Sequence, residues 1–254
     1  MDQKIGEKYT AVLLAAGYGS RISELTKGPK SLLTINDKTL LEHHFEIWKD
    51  LGIKNINLVL GYEASAIEEV ASKYEEDFNI NYLLNEDFRN CGNTFSLYVG
   101  IQYLENTTSL IFDADLVYDK SILEKFLRDE NENQILVGPS ELTDIECAKK
   151  LIDQDSFVRM TVDKRAVTEE ELSKYSFAGE AIGILKFSPK MTDKLAKQAG
   201  LFLRSKENIN KNWEHLLNEF LPHNNVSTHF NDDGKWIEID TPEDFKRAVE
   251  LFKK

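Results

Sequence analysis

The sequence predicts an α/β fold built on a mainly parallel sheet with helices on both faces. Three observations carry that expectation. Short apolar runs alternate with amphipathic segments along the first two thirds of the chain, the order of repeated strand–helix–strand units. The runs are apolar throughout instead of alternating, as strands covered on both faces must be. The first run also leads directly into a loop with glycines at 17 and 19, at the edge where open α/β sheets bind ligands.

Taken in order, residues 12–16 read as the first buried strand, followed by a glycine-rich loop through Lys30. A helix is expected over 40–51, where Leu41, Phe45 and Trp48 recur at helical spacing. Residues 56–60 form a second strand, and Ile67, Val70, Ala71 and Tyr74 mark a second helix. A third strand spans 80–84, a loop 85–93, and a helix 95–104. A fourth strand over 109–112 ends in Asp113-Ala114-Asp115, and a helix around Ile122, Leu123, Phe126 and Leu127 leads to a strand at 135–137. Together these make a Rossmann-like sheet. The pattern then changes: strands at 157–162 and 179–187 flank the acidic run 169–171, read as a solvated face. The stretch 140–180 is expected to be a small insertion in one domain spanning 1–254. Helices follow at 189–206 and 211–221, then a short strand ending at Asp240. A last helix begins at Thr241-Pro242-Glu243-Asp244, with Thr as cap, Pro in the first turn and acids against the dipole.

Composition narrows the function. With 31 Lys+Arg against 44 Asp+Glu, the net charge of −13 repels nucleic acid and anionic lipid. No signal peptide or membrane helix is read from the sequence. Two widely separated cysteines, Cys91 and Cys147, make no scaffold or zinc site, so a cytoplasmic location is expected. Against that acidic background, residues 16–30 carry Arg21, Lys27 and Lys30 against Glu24 alone. Gly17 and Gly19 let backbone N–H groups approach phosphate oxygens without a Cβ between them. Arg21 can fork onto phosphate and Lys30 adds a point charge. A nicotinamide fingerprint fails because Ile22 stands where a third glycine is required, and no Walker A string occurs. Asp113 and Asp115 at a strand end beside a phosphate loop suit Mg²⁺, and Asp240 is placed to complete such a site. The five histidines show no HExxH or HxH spacing, and no GxSxG is present.

The string Leu14-Ala15-Ala16-Gly17-Tyr18-Gly19-Ser20-Arg21 with Gly28-Pro29-Lys30, the Gly61-Tyr62 pair, Asp113-Ala114-Asp115 and Glu238-Ile239-Asp240 resembles the nucleotidyltransferases, which share a GT-A-like fold. Asn93-Thr94-Phe95-Ser96-Leu97-Tyr98 and Trp213-Glu214 sharpen the resemblance to the bacterial choline-phosphate and 2-aminoethylphosphonate cytidylyltransferases. The Arg21-to-Lys30 spacing is one residue shorter than in most of these relatives. The resemblance implies CTP and a small phosphorylated or phosphonylated acceptor as substrates, with Mg²⁺ as cofactor, and no nucleic-acid partner. It implies that Arg21 and Lys30 are catalytic and that Asp115 and Asp240 are metal ligands. Ala15, Ala16, Gly17, Gly19, Gly61, Asn93, Thr94 and Asp113 would bind nucleotide. For an ammonium-bearing acceptor, Tyr175, Glu180, Trp213, Trp236 and Glu238 are candidates, with Glu214 beside them. Three alternatives stand at this point: a sugar-1-phosphate nucleotidyltransferase, a glycosyltransferase using its DxD, and a catalytically inactive nucleotide-binding regulator. A homodimer is the default assembly.

Overall fold

A computed structural model describes residues 5–19, 22 and 28–253. Their strands are β1 (Tyr9–Leu14), β2 (Thr34–Ile35), β3 (Lys38–Thr39), β4 (Asn55–Leu60), β5 (Asn79–Leu84), β6 (Thr108–Asp113), β7 (Leu116–Tyr118), β8 (Gln134–Gly138), β9 (Ala148–Ile152), β10 (Val158–Asp163), β11 (Ser176–Phe187), β12 (Ser227–Phe230) and β13 (Trp236–Glu238). The helices are α1 (Leu40–Leu51), α2 (Ala64–Ala71), α3 (Asn93–Ile101), α4 (Lys120–Arg128), α5 (Glu169–Lys174), α6 (Pro189–Phe202), α7 (Trp213–Phe220) and α8 (Pro242–Leu251). None is long and apolar enough to cross a membrane.

The parallel half of the main sheet runs β5-β4-β1-β6. Strand β11 then adds antiparallel to β6, and its other edge carries β8, with β12 parallel to β8. The early part of β11 diverges from the sheet and pairs with β9, which pairs with β10. Two register shifts in β11 permit this bend, at Gly179 and near Gly183, both at positive φ. Strand β1 shows why both faces need cover. Tyr9, Ala11, Leu13 and Ala15 pack into one cluster with Phe45 and Trp48 of α1, while Val12, Leu14 and Ala16 pack into another with residues of α3, α6 and α7.

Two features outside the main sheet position the site. β7 and β13 pair antiparallel, Leu116 opposite Glu238, and Ile239 N–H donates to the Asp115 carbonyl at 3.0 Å. A third apolar cluster, of Ile22, Leu33, Val117, Ile237, Ile239 and Ala248, fastens this ladder to the turn after Lys30 and to α8. Helix α8 starts as its sequence dictates. The Thr241 hydroxyl accepts from Asp244 N–H, while the Asp244 carboxylate accepts from Thr241 N–H.

Several elements depart from the sequence reading. β2, β3, β7, β9 and β12 carry no strand pattern that predicts them, and the acidic run at 169–171 opens a short helix, α5, under a Thr168–Glu171 capping box. The expected helix 95–104 begins two residues earlier, because Gly92 provides an extended N-cap, and it stops at Ile101. Helix α6 ends at Phe202 and not at 206.

Candidate active site

A cleft of about 880 Å³ opens at the C-terminal ends of β1 and β6. On one side lies the loop after β1. Ala15 N–H donates to the Val59 carbonyl, and the Ala16 carbonyl accepts from Tyr62 N–H, which fixes the loop's root to β4 and its following turn. A Cβ at Gly17 would stand in open space, so its backbone is presented bare to the cleft, and Gly19 takes a left-handed φ of 63°. Ala15, Ala16, Gly17 and Gly19 all line the cleft. Arg21 lies outside the described residues.

At the foot of the cleft, Lys30 Nζ donates to Asp115 Oδ2 at 2.6 Å and to Asp240 Oδ1 at 2.7 Å. Against the cost of burying it, the two carboxylates hold Lys30 above the ordinary lysine range, so it stays charged. Oxygens of Asp115, Glu238 and Asp240 lie within 4.8 Å of one another, and Asp115 Oδ1 is buried without a hydrogen-bond partner among the described residues. Three hard oxygen donors with an orphaned lone pair among them fit a divalent cation. Glu238 keeps surface open to the cleft, but enclosure by the cleft walls and the charges of Asp115 and Asp240 push its carboxyl up to about 8. Enclosure and Asp115 likewise raise Asp113 well above the carboxylate range. Gly183 makes room for Asp113: a Cβ there would stand 2.9 Å from Asp113 Oδ2. The acids meet because β6 delivers Asp113 and Asp115, while the β7–β13 ladder returns Glu238 and Asp240 beside them.

The far arm of the cleft is walled by β9, β10, β11, α7 and Trp236. Trp213 belongs to both environments that the sequence leaves open. It is 3% exposed in the core cluster yet lines the cleft, and its Nε1 donates to the Glu214 carboxylate. Burial raises both Glu214 and Glu180. Trp236 lies against Gly138, where a Cβ would come within 3.0 Å of the indole.

Three candidates are not brought to the cleft wall. Thr94 is fully buried and donates to the Lys211 carbonyl, tying α3 to the segment before α7. Gly61 sits behind the loop, where an added Cβ would stand 2.7 Å from the Ala16 carbonyl. Tyr175 follows the end of α5 and is not among the lining residues. Asn93 does reach the wall, but its Oδ1 accepts from Trp213 N–H at 2.9 Å, so it joins the two halves of the site. The sequence reading misses Ser31, Asp144, Cys147, Lys150, Asp163 and Lys164, which also line the cleft. The only sequence signal for Lys150 is a pair of adjacent lysines, which points to no site.

A MobA-like NTP transferase domain family matches residues 11–157. The chain is 29% identical over 259 residues to the CTP:phosphoglutamine cytidylyltransferase of Campylobacter jejuni, covering 94% of this chain and 99% of that protein. It is 33% identical over 106 residues to the choline-phosphate cytidylyltransferase of Streptococcus pneumoniae, covering 41% of this chain and 44% of that one. In structure it superposes on CTP:phosphocholine cytidylyltransferase from Streptococcus pneumoniae with a TM-score of 0.76 at 21% identity, over 97% of this chain and 100% of that chain. The glycine loop, the lysine beneath it and the paired strand ends thus sit in a known frame, and the chain belongs to the MobA-like NTP transferase family of nucleotidyltransferases.

Proposed function

We propose that this enzyme transfers CMP from CTP to a small, amine-bearing phosphate or phosphonate with release of pyrophosphate. The observation that carries the reading is the Lys30 ammonium held between Asp115 and Asp240 at the foot of a cleft that joins a bare glycine loop to an arm of tryptophans and carboxylates. The full-length match to a cytidylyltransferase supports the choice of base.

The chemistry is an in-line displacement. An oxygen of the acceptor's phosphate or phosphonate bonds to the α-phosphorus of CTP, and the bond from that phosphorus to the bridging oxygen of the β-phosphate breaks, releasing pyrophosphate. No covalent enzyme intermediate is required, so the protein acts by positioning and charge compensation. Backbone N–H groups around Gly17 and Gly19 receive the triphosphate. Lys30 offsets the repulsion between the α-phosphate and the incoming anion, and Arg21 is assigned to the departing pyrophosphate. Asp115, Glu238 and Asp240 would hold Mg²⁺, which when bound supplies charge neutralisation to the phosphates. In the far arm, the carboxylates of Glu180 and Glu214 and the ring of Trp236 suit the acceptor's ammonium, with the Trp213 indole N–H holding Glu214 in place.

The test is pyrophosphate release with Mg²⁺, crossing the common NTPs with phosphocholine, phosphoethanolamine, 2-aminoethylphosphonate, inositol phosphate and sugar 1-phosphates. Release with CTP and an amine-bearing acceptor is expected. Release confined to UTP or dTTP with a sugar phosphate would replace the substrate class. Gly61→Ala is expected to raise the KM for CTP about tenfold, because relieving an overpacked contact of about 1–3 kcal/mol must displace the Ala16 carbonyl at the loop's root. An unchanged CTP KM in steady-state assays would remove Gly61 from the loop's support.

A further inference from the structure

Lys150 is a lysine without an obvious structural purpose. It lies on β9, is 1% exposed and lines the cleft. Its Nζ donates to Thr161 Oγ1 on β10 at 2.9 Å, and among the described residues it forms no ion pair. One of three ammonium donors is therefore used. A buried cation in this state is costly unless something else completes it. Burial pushes its ammonium down to about 8 against the opposing pull of Glu214, Asp163 and Asp113, none of which pairs with it. Glu214 accepts from the indole N–H of Trp213 and keeps acceptor sites to spare.

The position of Lys150 identifies what it awaits. Lys150 stands opposite Gly179 in the early part of β11, whereas β6, the strand that carries Asp113, pairs with the later stretch from Ile184 to Phe187. The glycine loop after β1 lies one strand further still. The triphosphate and the reacting phosphate belong with Lys30 and Asp115, so Lys150 faces the distal part of the acceptor. The arm there also holds Asp144, Glu146, Asp163, Glu180 and Glu214, with Lys164 beside Asp163 as its other lysine. An acceptor bearing only an ammonium needs those acids and gains nothing from a buried lysine among them. An acceptor bearing an ammonium and a carboxylate on one carbon uses both.

We propose that Lys150 binds a carboxylate on the distal end of the acceptor, and that the acceptor is the phosphate or phosphonate of an amino acid, its ammonium facing Glu214 and its carboxylate completing Lys150. This rests on the cytidylyltransferase reading and narrows its acceptor.

O-Phosphoserine and phosphoethanolamine differ by that carboxylate alone. Their affinities are measured by calorimetry on the full chain with Mg²⁺ and α,β-methylene-CTP, which binds without turnover. Phosphoserine is expected to bind roughly 10- to 100-fold more tightly, the range of a buried charge-assisted hydrogen bond. Lys150→Met, close in volume and free of charge, is expected to erase that preference, while a thermal melt reports on its fold. A merely structural lysine would leave the ratio of the two affinities unchanged. Equal affinities in the wild type, tighter binding of phosphoethanolamine, no binding of phosphoserine, or a preference that survives in a folded Lys150→Met overturns the proposal. The wild-type comparison decides the matter even if the variant does not fold. CTP-dependent pyrophosphate release with phosphoethanolamine would leave the cytidylyltransferase reading standing in each of those cases. Absence of release from every acceptor would end that reading instead.

Discussion

Exchanging Lys30 for methionine is expected to lower kcat by about 10²- to 10³-fold, the usual cost of removing one preorganised charge donor. The same change should destabilise the protein in metal-free buffer. Lys30 bridges two carboxylates whose side chains are 20% and 23% exposed, and its own is 14% exposed. Breaking a fully buried pair costs about 3–5 kcal/mol, and the residual solvent here brings the loss nearer to about 2 kcal/mol. In a protein of this size that lowers the Tm by about 4–8 °C. Without the ammonium, Asp115, Glu238 and Asp240 face one another uncompensated. Mg²⁺ should then raise the Tm of the variant more than that of the wild type, because a divalent cation offsets the same repulsion. A variant that melts with the wild type in EDTA, or turns over normally, would remove Lys30 from the centre of the mechanism.

Asp115→Asn should have the opposite signature. Activity is expected to fall by at least about 10²-fold, since charge stabilisation of several kcal/mol depends on the ligand set. The Mg²⁺-dependent rise in Tm should be lost, because the amide offers a weaker donor at a position whose second oxygen is buried and has no partner among the described residues. Full activity in this variant, or an undiminished Tm response to Mg²⁺, would dismiss the metal assignment. The pair of variants separates roles that activity alone would merge: one heightens the response to the cation, the other abolishes it.

Much of this frame is legible in the sequence where burial and periodicity coincide. Helix α1 spans the residues that Leu41, Phe45 and Trp48 predict, since its apolar face is complete and both ends carry chemical stops, Thr39 and Gly52. The glycine loop and the DAD and EID strings are readable as a group because paired glycines and paired acids at strand ends stand out, and the structure gathers them at one cleft. The elements that escape notice lack such patterns. β9 holds Lys149 and Lys150 side by side, and two charges in a row break any apolar signal even though both are buried. β7 is three residues long, too short for periodicity. Thr94 is misjudged for a related reason. It follows Asn93 at the end of a loop expected near the nucleotide, but the hydroxyl turns inward to the Lys211 carbonyl, a partner far away in sequence. Trp213 resists a choice because both readings describe it: its ring packs in the core and its indole N–H serves a cleft carboxylate.

The joining of β7 to β13 also orders events during synthesis. The glycine loop, Lys30, Asp113 and Asp115 leave the ribosome early, whereas Glu238 and Asp240 arrive after every strand of the main sheet. A nascent or prematurely terminated chain ending before Trp236 therefore carries the glycine loop without the returning acids. Such a fragment would lack half of the carboxylates that gather at the foot of the cleft. On the proposed mechanism such an unfinished chain would be inactive, because Glu238 and Asp240 reach the cleft only through the closing three-residue ladder.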